Sequence, residues 1–275
     1  MDDKHDNEEV LPSVDLTMEG FAEIVSFVFA FAATVRREFE CFTEKVQPSL
    51  MALSMIDWAV VRQRIDELPQ KSKDAMRLAL DSGWFFGWHD GLQSLMELVD
   101  RLSAKPASEH VDQIMADYYR ANMETFAAQL YTAYPNRAAP LRAAIYAHSL
   151  ASYDGYFLSI PVFIAQGDGL LAENAKVKSP INDAGVKEFH KKYASDQKVL
   201  DLMLPFLDLH TSRFWQTEKA RRREVEATGK PFVALNRHQI IHGEVSDYGS
   251  EINSLKAFSF LVFAGLHVPA VLTEE

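Results

Sequence analysis

The chain has 275 residues, of which 48% are hydrophobic, so it can bury a substantial core and is not disordered throughout. Its net charge of −11 excludes a protein that coats nucleic acid through overall electrostatic attraction. The single cysteine, Cys41, excludes an internal disulfide framework and fits a reducing compartment.

The N-terminal residues 1–14 are acidic and polar, and they lack the positive region and apolar run of a secretory signal. We predict a flexible tail there and a cytoplasmic protein. The most apolar stretch, Phe21 to Val35, is shorter than the roughly 20 residues that span a bilayer, and it contains Glu23. It is therefore predicted to be a buried helix, and no membrane partner is expected.

Apolar residues recur at three- and four-residue spacings over most of the chain, which is typical of amphipathic helices. The pattern predicts helices over Leu16 to Phe42, Met55 to Leu68, Lys71 to Phe85, Leu92 to Leu102, Val111 to Tyr134 and Arg142 to Tyr153. Pro69 and Gly155 are predicted to end helices. No segment shows sustained two-residue alternation, so the fold class is predicted to be all-α.

Pro135 marks the predicted boundary between two helical parts. The N-terminal helical region would cover residues 15–135, after the tail, and the second domain would cover residues 136–275. Within the second domain, the segment from His210 to His242 holds seven basic and three acidic residues, so it is the one basic region of an acidic chain.

The segment from Asn236 to Gly243 contains an arginine and a histidine separated by four residues, Arg237 and His242. On a continuous helix such residues lie about 140° apart around the axis, rather than on one face. Convergence therefore needs a bend, a helix end or a second copy of the chain. Gly243 is well suited to supply a helix end.

Such a pair suits the cleavage of RNA. A histidine can take the proton of a 2′-hydroxyl or protonate the leaving oxygen, and a guanidinium binds phosphate with two hydrogen bonds. Charge develops on the phosphoryl oxygens in the transition state, which a fixed arginine stabilises. Neither a metal nor another cofactor is required for this chemistry.

The segment resembles the HEPN superfamily, whose nucleases have an RxxxxH motif with a polar residue after the arginine, here Arg237, His238 and His242. The runs from Tyr248 to Phe258 and from Gly155 to Phe163 are also similar to a bacterial group of HEPN-containing proteins. The resemblance covers roughly Pro135 to Val268. One departure is Glu244, at a position where some members have a tyrosine that serves as a modification site.

The resemblance implies an up-and-down helical bundle that forms a homodimer, with a composite, metal-independent endoribonuclease site between the two copies. His242 would be the general acid or base, Arg237 the phosphate ligand and His238 the polar residue that orients them. Family members act in toxin–antitoxin and antiviral defence, so RNA, a second copy and a cognate antitoxin or regulator are the implied partners. An inactive HEPN-like scaffold that binds nucleotides or proteins is the alternative.

Other residues allow competing interpretations. His238 and His242 are spaced as two imidazoles of a metal site, with Glu244 or Asp247 as a third ligand. A basic run could bind RNA or form an ordinary solvated face, and it comprises Lys219, Arg221, Arg222 and Arg223. Four aromatic residues, Trp84, Phe85, Phe86 and Trp88, could stack on bases, but core packing is the favoured interpretation. Asp168 could be a catalytic carboxylate, but its position between two glycines is more typical of a turn.

Overall fold

The computed structural model describes residues 58–87, 92–104, 107–177, 183–203, 207 and 212–272. This part of the chain forms helices and contains no strand, which confirms the all-α prediction. The tail at residues 1–14, the helix predicted over Leu16 to Phe42, Cys41 and Trp88 lie outside the described residues.

The helices of the described residues follow one another in chain order. In order they are α1 (Trp58–Asp81), α2 (Leu92–Ser103), α3 (Ser108–Ala133), α4 (Ala138–Ser149), α5 (Tyr153–Ala175), α6 (Asp183–Lys192), α7 (Gln197–Leu202), α8 (Glu218–Thr228), α9 (Arg237–Ile241), α10 (Glu251–Val262) and α11 (Val268–Leu272). A 3-10 turn, Pro135–Arg137, joins α3 to α4, and a π-helical segment, Phe263–His267, joins α10 to α11.

The chain divides into two compact units, residues 1–64 and 65–275. The described part of the first unit is the helical segment 58–64. The second unit contains Pro135, and α3 packs against both α4 and α10, so residues on either side of this proline share one core. The division at residue 64 therefore does not coincide with the boundary predicted near Pro135.

Two helix ends predicted from single residues are wrong. α1 continues through Pro69, because the residues after it, including Ala75 and Met76, are buried, and this burial outweighs one lost backbone hydrogen bond. Gly155 lies in the first turn of α5, where its N–H donates to the capping hydroxyl of Ser152. A Cβ at Gly155 would lie 2.2 Å from the carbonyl oxygen of Ala147, so the α4–α5 connection requires glycine for close approach rather than for a helix end.

The core of the second unit is built on α5 and α10, which pack along each other. At their closest approach, a Cβ on Gly167 would lie 2.5 Å from Cε1 of Phe260. Phe260 in turn packs against Phe85 and Trp215, with ring centroids 5.2 and 5.0 Å away. Trp84, Phe85 and Phe86 are at most 1% exposed, which confirms the core-packing interpretation for these three aromatics.

Two helical runs of this core, α5 and the continuous segment Glu251–Leu272, are long and apolar enough to cross a membrane. Of their most apolar windows, 44% and 72%, respectively, is buried inside the protein. Core helices of soluble proteins have the same length and composition, so length and composition do not distinguish a membrane-spanning helix from a buried core helix. The cytoplasmic location stays a prediction.

Candidate functional site

The motif residues lie on and beside α9, a single helical turn with a defined cap at each end. At its start, the side-chain oxygen of Asn236 accepts a hydrogen bond from the backbone N–H of Gln239. At its end, Gly243 adopts a left-handed conformation with φ of 69°, and the N–H of Glu244 donates to the carbonyl of Gln239 over 2.7 Å. The helix end predicted at Gly243 is therefore present, immediately after His242.

Asn236 also connects α9 to the segment that precedes α8. Its Nδ2 donates to the backbone carbonyls of Arg213 and Gln216, over 2.8 and 3.0 Å, and its Oδ1 accepts from Arg221 over 3.0 Å. Asn236 is 2% exposed, so these hydrogen bonds are shielded from water. They fix the start of the motif to the rest of the fold.

Arg221 does not belong to the exposed basic surface that the sequence suggested. It is 5% exposed, its guanidinium donates to the Gln216 carbonyl as well as to Asn236, and it pairs with Glu244 beyond the end of α9. A buried guanidinium needs such a set of acceptors. Asn236 before α9 and Glu244 after it provide two of them, and the Gln216 carbonyl provides the third. Arg221 is therefore a structural clamp on α9, not a surface ligand for RNA.

The rest of the basic run is exposed on α8. Lys219 and Arg223 make no ion pair with the described residues, whereas Arg222 pairs with Glu218 one turn earlier. Glu224 pairs with Arg213 over 2.7 Å. Local ion pairs of this kind reduce the positive potential available to a phosphate, so Lys219 and Arg223 retain more of that potential than Arg222.

Arg237 is held by residues from two other parts of the fold. Its Nε donates to Oδ2 of Asp168 on α5 over 2.6 Å, and its guanidinium carbon lies 5.9 Å from the ring centroid of Trp215. Its backbone N–H donates to the carbonyl of Phe214 over 2.8 Å. The side chains of Arg237 and Asp168 are 13% and 17% exposed, so the ion pair is largely withdrawn from water.

Asp168 lies inside α5, so the turn predicted from its flanking glycines is wrong. Gly167 packs against Phe260 and Gly169 lies next to Arg137, which explains both glycines by close packing. Burial raises the pKa of Asp168 to about 6, and the charge and hydrogen bond of Arg237 do not offset this effect. Its second oxygen, Oδ1, is buried and accepts no hydrogen bond from the described residues.

The two histidines of the motif differ in environment. His242 is exposed, whereas His238 is half-buried. Their ring planes are inclined by 9°, and the ring centroids lie 6.1 Å apart. Burial lowers the pKa of His238, and neighbouring positive charges, that of Arg237 first, lower it further. At neutral pH His238 is therefore an uncharged imidazole beside the guanidinium.

The metal-site alternative required a third ligand from Glu244 or Asp247. Among the described residues, no three histidine, cysteine, aspartate or glutamate side chains are grouped so that they could hold a metal ion. The Glu244 carboxylate instead accepts a hydrogen bond from Arg221. The described residues therefore provide no third ligand beside the two histidines.

Sequence reasoning missed Asp168 and the structural role of Arg221. The available signal was that Asp168 is the only charged residue from Phe157 to Leu171, a run rich in apolar residues. Comparison with protein families, with curated proteins and with solved structures finds no match to this chain.

Proposed function

We propose that the chain is a metal-independent endoribonuclease that cleaves RNA by attack of a 2′-oxygen on the adjacent phosphorus. The supporting observation is a cluster around Arg237: a buried carboxylate with a raised pKa, Asp168, a half-buried imidazole with a lowered pKa, His238, and an exposed imidazole, His242. Shifted pKa values grouped in this way are typical of functional sites.

Each residue has a role that follows from its environment. His242 is accessible to solvent and exchanges the proton, as base towards the 2′-hydroxyl or as acid towards the leaving 5′-oxygen. Arg237, oriented through its Nε by Asp168, binds the phosphate and stabilises the charge of the transition state. His238 is uncharged at neutral pH, and its ring, which lies nearly parallel to that of His242, would orient these groups.

The bonds balance without an additional reactant. The 2′-oxygen forms a bond to phosphorus as it loses its proton to a base, and the bond from phosphorus to the 5′-oxygen breaks as that oxygen takes up a proton from an acid. The products are a 2′,3′-cyclic phosphate and a 5′-hydroxyl. One base and one acid are needed, which is the chemical reason for a second copy of His242 at a shared site.

A homodimer with a composite cleft accordingly forms part of the proposal. Ile241, next to His242, is 39% exposed and gives the motif an apolar neighbour on the surface. Lys219 and Arg223 would guide RNA towards the cleft by long-range attraction. The HEPN resemblance places such an enzyme in toxin–antitoxin or antiviral defence, where a cognate antitoxin or regulator would control it.

One observation favours a different function, a non-catalytic scaffold of the same fold. The Nε of Arg237 is already engaged by Asp168, and the arginine side chain is only 13% exposed. In a scaffold, this ion pair would serve to tie α5 to α9 or to hold a nucleotide without turnover.

The test is cleavage of a mixed RNA pool with and without EDTA, with analysis of the product ends. The proteins are the wild type, His242→Ala, and His190→Ala as a control at an exposed histidine on α6. We expect cyclic-phosphate ends from the wild type and the control and none from His242→Ala. Loss of cleavage in EDTA would instead indicate a metal enzyme, and no cleavage by the wild type would indicate the scaffold.

A further inference from the structure

A cavity of about 110 Å³ lies beside α9, between the segment 232–235 and the start of α10. It borders Asn236, Gln239 and Ile240 of α9, whereas Arg237 and His238 are not among its lining residues. Drug-sized ligands occupy pockets of roughly 300 Å³ or more, so this cavity matches a single planar ring system rather than a whole nucleotide.

The cavity is adjacent to the motif. His242 follows Gln239 by three residues, and residues at this spacing are neighbours on a helix surface, with Cβ atoms about 5–6 Å apart. His242 does not itself line the cavity, so a group bound there would lie near the exposed imidazole without being enclosed by it. This separation is comparable to the distance between a base and the phosphate of its own nucleotide.

Several polar groups at the cavity form no hydrogen bond or ion pair with the described residues. The side chains of Gln239 and Asp247 form no hydrogen bond or ion pair with the described residues, and neither do the backbone groups of residues 232–235. Asn253 uses its Nδ2 to donate to the carbonyl of Tyr248 over 3.0 Å, which leaves its Oδ1 as an acceptor. The cavity thus offers both donors and acceptors, together with the aromatic ring of Phe232.

We propose that this cavity is a nucleobase subsite that selects guanine. Aromatic rings bind the face of any base, but the carboxylate of Asp247 distinguishes between bases. Guanine has two adjacent donors, N1–H and N2–H, which match the two oxygens of a carboxylate, whereas adenine has an acceptor at N1. An unpaired carboxylate at the cavity would repel the RNA backbone, so its presence favours a ligand that donates to it.

The inference deepens the proposed nuclease function and rests on it, but its test measures binding without turnover. Guanosine, inosine and adenosine 3′-monophosphates are titrated into the full-length wild type, Asp247→Asn, and Asp154→Asn as a control at an exposed aspartate on α5. Inosine lacks only the 2-amino group of guanine. We expect the guanosine nucleotide to bind about tenfold more tightly than the other two, and Asp247→Asn to abolish this preference while Asp154→Asn retains it.

The outcomes separate the two proposals. Equal binding of the three nucleotides by the wild type, or an unchanged guanine preference in Asp247→Asn, would overturn the guanine subsite even if RNA is cleaved. A guanine preference that depends on Asp247 in a protein without RNA cleavage would support the subsite and overturn the nuclease. Cleavage of defined oligonucleotides next to guanine, lost on substitution by inosine, would support both.

Discussion

Replacing Asn236 by alanine should destabilise the protein strongly, although the residue is not a large apolar side chain. The change removes the N-cap of α9, worth about 1 kcal/mol. It leaves the carbonyl of Arg213, which takes part in a part-buried hydrogen bond, without its donor, at a cost of about 1 kcal/mol. It also leaves the buried guanidinium of Arg221 without one acceptor, at a cost of about 1–2 kcal/mol. The expected loss in the free energy of unfolding is therefore about 3–4 kcal/mol.

Urea denaturation followed by circular dichroism measures this loss. Thr217→Ala is the matched control, because Thr217 caps the neighbouring helix α8 through one long hydrogen bond of 3.4 Å at an exposed position. Its expected cost is about 0.5–1 kcal/mol. If the two variants lose the same free energy within 1 kcal/mol, Asn236 acts as an ordinary cap and the reasoning about a buried network is refuted.

Three further changes probe the site. Folding raises the pKa of Asp168 to about 6, so ionisation of this group costs stability as the pH rises from about 3 to 7. Over that range the free energy of unfolding of the wild type should fall relative to Asp168→Asn by up to about 3 kcal/mol. A pH-independent difference between the two urea midpoints would contradict this. Gly167→Ala should lower the free energy of unfolding by about 1–3 kcal/mol in urea denaturation, because the added Cβ would lie 2.5 Å from the ring of Phe260. Wild-type stability of this variant would show that α5 and α10 can move apart. Arg237→Lys keeps the charge but not the directed pair of donors, so RNA cleavage should fall roughly 100-fold. Unchanged cleavage rates would remove Arg237 from the proposed mechanism.

The sequence predicted the fold class and several helices well. Apolar spacings of three and four residues predicted α2 within one residue of its end and α3 within three residues of its start, because burial of one face stabilises a helix over its whole length. Single prolines and glycines were weaker guides. Pro69 lies inside α1 and Gly155 near the start of α5, because packing of the flanking residues overrides a local preference.

The parts of the candidate site that depend on local sequence were likewise predictable, and the parts that depend on long-range contacts were not. The end of α9 at Gly243 was predictable, because a left-handed residue that closes a helix depends on its immediate neighbours. The clamp formed by Arg221 was not, since its acceptors come from Gln216, Asn236 and Glu244, which approach it only in the folded chain. A charge run in the sequence does not indicate which of its members becomes buried.

The sequence by itself therefore determined the helical class, the motif from Arg237 to His242 and the local form of α9, because each depends on residues within a turn or two of one another. Only the tertiary structure decided that Asp168, 69 residues away, holds Arg237. The close approach of α5 and α10 at Gly167 sets the position of the carboxylate, and burial there shifts its pKa. Desolvation depends on everything packed around a group, and no local pattern encodes it.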